Sequence, residues 1–319
     1  MEKWFRFTEA DDQQNRIRVG RATADGQRID VHEGASILDP GAFSGRTLAL
    51  DRVRLRAPVS PTKFLALWNN FREMAAKIGQ PIPPEPLYFQ KAANCFANPG
   101  DAIRKPVSYD GKVVYEGELG IVIGKTCKDV SEEQAEQSIF GFTCVNDVTA
   151  MDIIQKDPTF QQWSRAKSCD TFGPVGPCVA VGWDWRSGSV RTVVGGRERQ
   201  HYPLSDMIFT PPQIVSALSR DMTLVPGDII SCGTSLGVLP MRPNTVVEVT
   251  IDGIGTLTNT YEPSPDQVHR KNNDENLYCG GGCHWWAFRR PVSEGGGRHH
   301  AGRPWPSTGS AEVEGSSVH

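Results

Sequence analysis

Two carboxylates one residue apart inside an apolar segment constrain this chain more than any other feature. Glu116 and Glu118 lie in Tyr-Glu-Gly-Glu-Leu-Gly, residues 115–120. The surrounding segment, residues 113–124, is rich in Val and Ile and predicts one long strand or a strand pair. Side chains two positions apart on a strand project from the same face. Two carboxylates placed so repel each other, and burial adds the cost of removing each charge from water. A solvated edge strand resolves the conflict by leaving both acids wet. A hard divalent cation held between their oxygens resolves it inside the protein.

Composition sets limits on partners. The chain has 319 residues, with Lys+Arg 34 against Asp+Glu 37 and a net charge of −3. No block of like charge stands out, so neither nucleic acid nor an anionic membrane surface is an expected partner. No apolar run approaches the ~20 residues of a membrane span. The N-terminus, Met-Glu-Lys-Trp-Phe-Arg, lacks the apolar core of a secretory signal, so a cytoplasmic protein is expected. Eight cysteines without a tight framework suit free thiols in a reducing compartment.

The coarse organisation is mixed α/β and β-dominated. Short strand-like runs at 17–23, 28–31 and 47–55 predict a small β-rich N-terminal domain over residues 1–60. Residues 64–78 end in a helical pattern that the Pro-rich stretch 81–86 breaks, a connector or a lid. Ser131-Glu-Glu-Gln134 is a capping box for a helix running to Ile139. Residues 141–145 read as a strand leading to Asn146-Asp147. Thr210 and Pro211 open another helix as N-cap and N1. Residues 229–232 form a strand after the turn at Pro226-Gly227-Asp228, and residues 245–260 form a hairpin about Asp252-Gly253. From residue 263 the chain is a low-complexity tail, expected to be disordered. Its Cys279, Cys283, His284, His299 and His300 match no standard zinc spacing. Glu275-Asn-Leu-Tyr278 resembles the start of a protease recognition sequence, so a processing remnant or a shifted reading frame accounts for this stretch as well as native sequence does.

A third acid, Asp147, ends an apolar strand, where an unpaired buried carboxylate is costly unless it is hydrogen-bonded or metal-bound. Lys167 lies among small and aromatic residues in Trp163-Ser-Arg-Ala-Lys-Ser168. It reads either as an oxyanion stabiliser or as a surface ion-pair partner. The Gly-rich loop Cys232-Gly233-Thr234-Ser235-Leu236-Gly237 offers backbone N–H groups and a hydroxyl to a carboxylate.

Taken together these segments resemble the fumarylacetoacetate hydrolase family. YEGELGIVIGK (115–125), VNDVTAMDI (145–153), QWSRAKSCDTFGPVGP (162–177), the stretch 206–238 and VEVTIDGIGTLTN (247–259) carry the resemblance, in matching order and spacing. It covers a catalytic domain over residues 61–262 and resembles the bacterial 2-hydroxyhepta-2,4-diene-1,7-dioate isomerase and acylpyruvase-like members. The resemblance implies the family's mixed β-roll, a homodimer, and Mg2+ (or Mn2+ or Ca2+) on Glu116, Glu118 and Asp147. It also implies catalytic roles for Lys167 and Lys91 and a substrate-carboxylate site at Gly233 and Thr234.

The departures bear on the reaction. The family's lid histidine falls on Met74, its supporting glutamate on Lys77, the arginine after the metal aspartate on Met151, and a glutamine on Ile154. Methionine neither moves a proton nor pairs with a carboxylate. Met74 and Met151 instead imply a substrate with an apolar distal end. Arg72 and Glu73 neighbour the lost histidine, but one helical step rotates a side chain by about 100°. His32 and His201 are the other candidate bases. The resemblance implies a metal-dependent enzyme acting on a 2-oxo or 1,3-dicarbonyl acid, with C–C hydrolysis as the default. Isomerisation or tautomerisation, decarboxylation and silent binding of a small acid are the alternatives. Hydrolysis needs a base to activate water, worth about 10²–10⁴-fold. The other reactions lean on stabilising an enolate.

Overall fold

A computed structural model describes residues 1–262, which belong to one compact unit. The tail features named above lie outside the described residues. The fold is mixed α/β and strand-dominated, as expected from the sequence.

The N-terminal strands are β1 (Glu2–Glu9), β2 (Arg18–Ala22), β3 (Arg28–His32), β4 (Phe43–Ala49) and β5 (Val53–Arg56). The run expected at 47–55 is thus split between β4 and β5 by a 3-10 turn at Leu50–Arg52. β1 was not evident as a strand, yet it buries Trp4, Phe5 and Phe7 and pairs with three other strands. Next come β6 (Phe64–Trp68), helix α1 (Arg72–Ile78), β7 (Leu87–Lys91), β8 (Phe96–Ala97) and β9 (Ala102–Arg104). α1 ends at Gly79, whose φ of 67° is the left-handed stop that glycine accepts at least cost.

The segment 113–124 forms two strands, β10 (Val113–Val114) and β11 (Gly117–Ile123). It is neither one strand nor a hairpin. The chain leaves one sheet and enters another at Tyr115-Glu116, so each half has its own partners. α2 (Glu132–Ser138) starts with the reciprocal Ser131–Gln134 capping box. β12 (Ile139–Asn146), β13 (Thr149–Ala150), α3 (Met151–Ile154), α4 (Trp163–Lys167) and β14 (Gly173–Val181) follow. The hairpin β15 (Ser189–Val194) and β16 (Arg197–Pro203) precedes α5 (Pro211–Asp221), where Gln213 accepts from the Thr210 N–H at 3.0 Å. β17 (Ile229–Ser231), β18 (Thr245–Ile251) and β19 (Gly255–Glu262) complete the chain to residue 262.

Twelve strands share one sheet, in the order β4-β3-β2-β1-β14-β12-β11-β17-β6-β7, with β5 on β1 and β8 on β14. The N-terminal strands therefore extend the sheet that carries β11. A second sheet runs β16-β15-β18-β19-β9, and β10 pairs with β13 alone. Every residue of β11 is buried, as befits a central strand covered on both faces. A Cβ at Gly117 would overlap Thr192 Oγ1 and lie 3.3 Å from both γ-carbons of Val249, so the second sheet is in contact with β11 at that point. Val113, Tyr115, Val122, Val145, Val148 and Phe172 belong to one core cluster.

Candidate metal centre

Chain reversals in the large sheet bring the acids together. β11 and β12 are antiparallel with Gly117 opposite Asn146, so the residues flanking that pair, Glu116 and Asp147, meet at the ends of their strands. The Asp147 N–H donates to the Glu116 carbonyl at 2.8 Å, and the Glu116 N–H donates to Asn146 Oδ1 at 3.1 Å. These bonds fix the backbone where the chain passes from β10 to β11. One oxygen each of Glu116, Glu118 and Asp147 lies within 4.8 Å of the others, and all three side chains are buried. The solvated-edge reading of these acids is excluded.

Two lysines from other elements answer the charge. Lys167, the last residue of α4, donates to Glu116 Oε2 at 2.9 Å and to Asp147 Oδ2 at 2.7 Å. Lys91, the last residue of β7, donates to Asp147 Oδ1 at 2.6 Å, to the Phe172 carbonyl at 3.1 Å and to the Lys167 carbonyl. Both lysines are buried, so Lys167 is no surface ion-pair partner. Each ammonium also lies over an aromatic ring: Lys91 over Phe64 at 5.7 Å and Lys167 over Phe89 at 5.3 Å.

The three acids differ in how they are held. Asp147 takes one hydrogen bond from each lysine, Lys91 on Oδ1 and Lys167 on Oδ2. Burial alone would raise its pKa, but Lys167 and Lys91 outweigh that and hold it below the usual carboxylate value. Glu116 is raised by burial, with Lys167 opposing and Asp147 adding to the rise; Thr149 also donates to its Oε1 at 2.9 Å. Glu118 has no lysine contact. Its Oε2 accepts from Ser231 Oγ at 2.5 Å and from the Gly233 N–H at 2.8 Å, while its Oε1 is buried without a hydrogen-bond partner. Burial first, then the neighbouring Asp147 and Glu116, push Glu118 well above the ordinary value.

Three carboxylates face two ammonium groups, which leaves one negative charge unmatched at the oxygen with no donor. Oxygen donors only, one of them orphaned, are what a hard divalent cation requires. The residues therefore fit such an ion.

The loop after β17, read from the sequence as a site for a substrate carboxylate, here donates its Gly233 N–H to the protein's own Glu118. The Thr234 hydroxyl donates to the Gly117 carbonyl at 3.1 Å and accepts from Gln200 Nε2 at 2.9 Å. Gln200 also accepts from the Gly117 N–H at 3.0 Å. Met74 is buried on α1, and Met151 is half-buried at the head of α3 against the core. Neither methionine belongs to the polar network. Arg72 turns away, donating to the Asp206 and Met207 carbonyls, and Glu73 is exposed. His32 stacks edge-on with Trp4 at 4.9 Å and lies 3.1 Å from the Gly41 carbonyl. His201 is exposed on β16, 3.6 Å from Glu198. No histidine among the described residues joins the acids.

Sequence reasoning missed Thr149, Ser231, Asn146 and Gln200. Thr149 and Asn146 flank Asp147 in an already suspicious segment, which was a usable signal. Ser231 and Gln200 carried none, because only the sheet register brings them here.

The comparisons with known proteins come to the same place. Residues 63–262 match the family model described as fumarylacetoacetate (FAA) hydrolase C-terminal, and residues 2–58 match the model Rv2993c-like, N-terminal. Protein Rv2993c of Mycobacterium tuberculosis is 43% identical over 220 residues, covering 68% of this chain and 82% of its own. Oxaloacetate tautomerase YisK of Bacillus subtilis is 36% identical over 225 residues, covering 66% and 74%. The crystal structure of 2-hydroxyhepta-2,4-diene-1,7-dioate isomerase from Mycobacterium marinum superimposes with a TM-score of 0.73 at 35% identity, covering 83% of this chain and all of that one.

Proposed function

The chain belongs to the fumarylacetoacetate hydrolase family, and from that premise we propose a divalent-metal-dependent isomerase or tautomerase acting on a 2-oxo or 1,3-dicarbonyl acid. The family's members include hydrolases, isomerases and tautomerases, and they use a divalent metal. Mg2+ or Mn2+ is the proposed ion, on Glu116, Glu118 and Asp147. When bound there it supplies a Lewis-acidic centre for negative charge developing on the substrate's oxygens.

The observation that carries the reaction type is the absence of a histidine from the acid–lysine network among the described residues. Attack by water needs a base placed within hydrogen-bond reach. Keto–enol interconversion depends chiefly on stabilising charge at oxygen. Lys167 is held as an ammonium: burial would lower its pKa, but Asp147, Glu116 and Glu118 raise it above the ordinary lysine value. Its role is therefore a fixed positive charge beside the reacting oxygens. Lys91 holds Asp147 and the end of α4 in place. Thr234, half-buried and anchored on Gly117, is assigned to the edge of the substrate-carboxylate site. Met74 and Met151 are assigned to the apolar end. The homodimer belongs to the same reading and is checked by light scattering.

The test is a panel of oxaloacetate, acylpyruvates and 2-hydroxymuconate-type dienoates, each with Mg2+, with Mn2+ and with EDTA. Isomerisation that EDTA and Glu116→Ala abolish supports the proposal. Turnover that survives both refutes the metal reading. Cation-dependent C–C cleavage faster than any isomerisation reinstates hydrolysis, the family model's own description.

A further inference from the structure

The peptide joining Cys232 to Gly233 is gripped at both polar ends. Its carbonyl accepts from Asn70 Nδ2 at 2.8 Å, and its N–H donates to Glu118 Oε2 at 2.8 Å. The carbonyl and N–H of one peptide share a plane and point in opposite directions. A donor that fixes the carbonyl therefore aims the N–H. Asn70 is suited to this, being 1% exposed and fully engaged. Its Nδ2 also donates to the Phe209 carbonyl at 3.2 Å, and its Oδ1 accepts from the Phe209 N–H at 2.8 Å. These bonds fix the orientation of the amide. Gly233 has a φ of 88°, and a Cβ there would lie 3.3 Å from Asn70 Cβ and from the Leu67 carbonyl, so loop and amide are in close contact.

Asn70 also stands two residues before α1, next to its N-cap Phe71. Its carbonyl accepts from the Ile208 N–H at 2.8 Å, and the Glu73 N–H donates to Asp206 Oδ2 at 3.0 Å. Through its side chain and its backbone carbonyl, Asn70 thus joins the segment leading into α1, residues 208–209 and the loop after β17 that holds Glu118.

The geometry points to Asn70 as a positioning residue that, through the Cys232–Gly233 peptide, holds Glu118 with its Oε1 turned free for the cation. This rests on the metal reading above and extends it to a residue that touches neither ion nor substrate. Ser231 holds the same Oε2 from the other direction, so loss of Asn70 loosens the carboxylate without releasing it.

Asn70→Asp keeps the side chain's shape and its acceptor for Phe209, but sets an oxygen against the Cys232 and Phe209 carbonyls. Two measurements are made on it. Amide hydrogen exchange in the metal-free protein reads the peptide directly, and calorimetric titration with Mn2+ reads the site. The expected results are at least a tenfold faster exchange at Gly233, with β11 amides such as Leu119 unchanged, and an affinity for Mn2+ about tenfold weaker, roughly one hydrogen bond to a charged group. If the Asp variant does not fold, Asn70→Ala is read in the same way, with Ser231→Ala as the control that loosens Glu118 while leaving Asn70 intact. Unchanged Gly233 exchange overturns the proposal, as does acceleration spread equally over β11, which marks Asn70 as merely structural. If the wild type binds no Mn2+, the metal reading fails, while the exchange measurement still decides whether Asn70 aims the peptide.

Discussion

Glu9, on β1, and Glu118, on β11, are glutamates of one sheet, and the protein treats them in opposite ways. Glu9, at the end of β1, is partly solvated and pairs with two arginines: Arg18 at 2.7 Å and Arg46 at 2.8 Å. Arg46 and then Arg18 hold its pKa below the usual value against a small burial effect. Glu118 is fully buried, has no cation in contact and is pushed upward by burial and by two other acids. Exposed pairs such as Glu9's contribute at most about 1 kcal/mol. Buried charges cost several. The N-terminal strands place charge where it is cheap, and the acid cluster holds it where only a ligand can justify it.

Four substitutions test that contrast, beginning with the largest effect. Lys167→Met leaves three buried carboxylates with Lys91 as their only contacting cation. Urea unfolding of the metal-free variant should show a loss of about 3–5 kcal/mol, the usual result of removing one partner of a buried pair. Glu118→Gln should act in the reverse sense. It should stabilise the metal-free protein by about 1–3 kcal/mol, because an orphaned buried charge is removed, while Mn2+ affinity falls by more than about 100-fold. A metal-free Glu118→Gln protein less stable than wild type would contradict the contrast outright. Thr149→Val removes a bond to buried Glu116 and should cost the metal-free protein about 1–2 kcal/mol, while weakening Mn2+ binding by about 10-fold. Glu9→Gln is the smallest, at about 1 kcal/mol or less after screening, and should vanish in high salt.

The two glutamates also predict opposite pH slopes. Glu118's folded pKa lies well above the ordinary glutamate value of 4.5. Its contribution is fully present below pH 4.5 and is lost as pH rises through the folded value, so the advantage of metal-free Glu118→Gln over wild type should grow with pH. Glu9's folded pKa lies below 4.5. Its contribution is present above that value and is lost as pH falls through the folded pKa, so the cost of Glu9→Gln should fade in acid. Thermal unfolding of the three proteins across about pH 2 to 8 checks both signs.

What could be read from the sequence follows a physical division. Signals carried by neighbours in the chain were legible: the Ser131–Gln134 box, Thr210 with Pro211, and the turn at Asp252-Gly253 all appear where expected. Glu116, Glu118 and Asp147 were legible as a cluster through their burial in apolar segments and the family resemblance. β1 was not, because its partners β5 and β14 lie far along the chain and its Trp and Phe residues break a clean alternation. The change of sheets at Tyr115-Glu116 was hidden for the same reason, being set by Asn146 and Asp147 across the sheet. Asn70 looked like part of a lid, and only the folded backbone shows its hold on the Cys232–Gly233 peptide.

Gly117 separates the two glutamates, and the clearance above it carries a consequence for protein engineering. Thr192 and Val249 occupy the space that any larger residue would need. Alanine at position 117 would wedge the second sheet away from the first and move Glu116 and Glu118 with it. A saturation library at that codon, selected for Mn2+ retention, should return glycine almost alone, unless position 192 is shortened in the same clone.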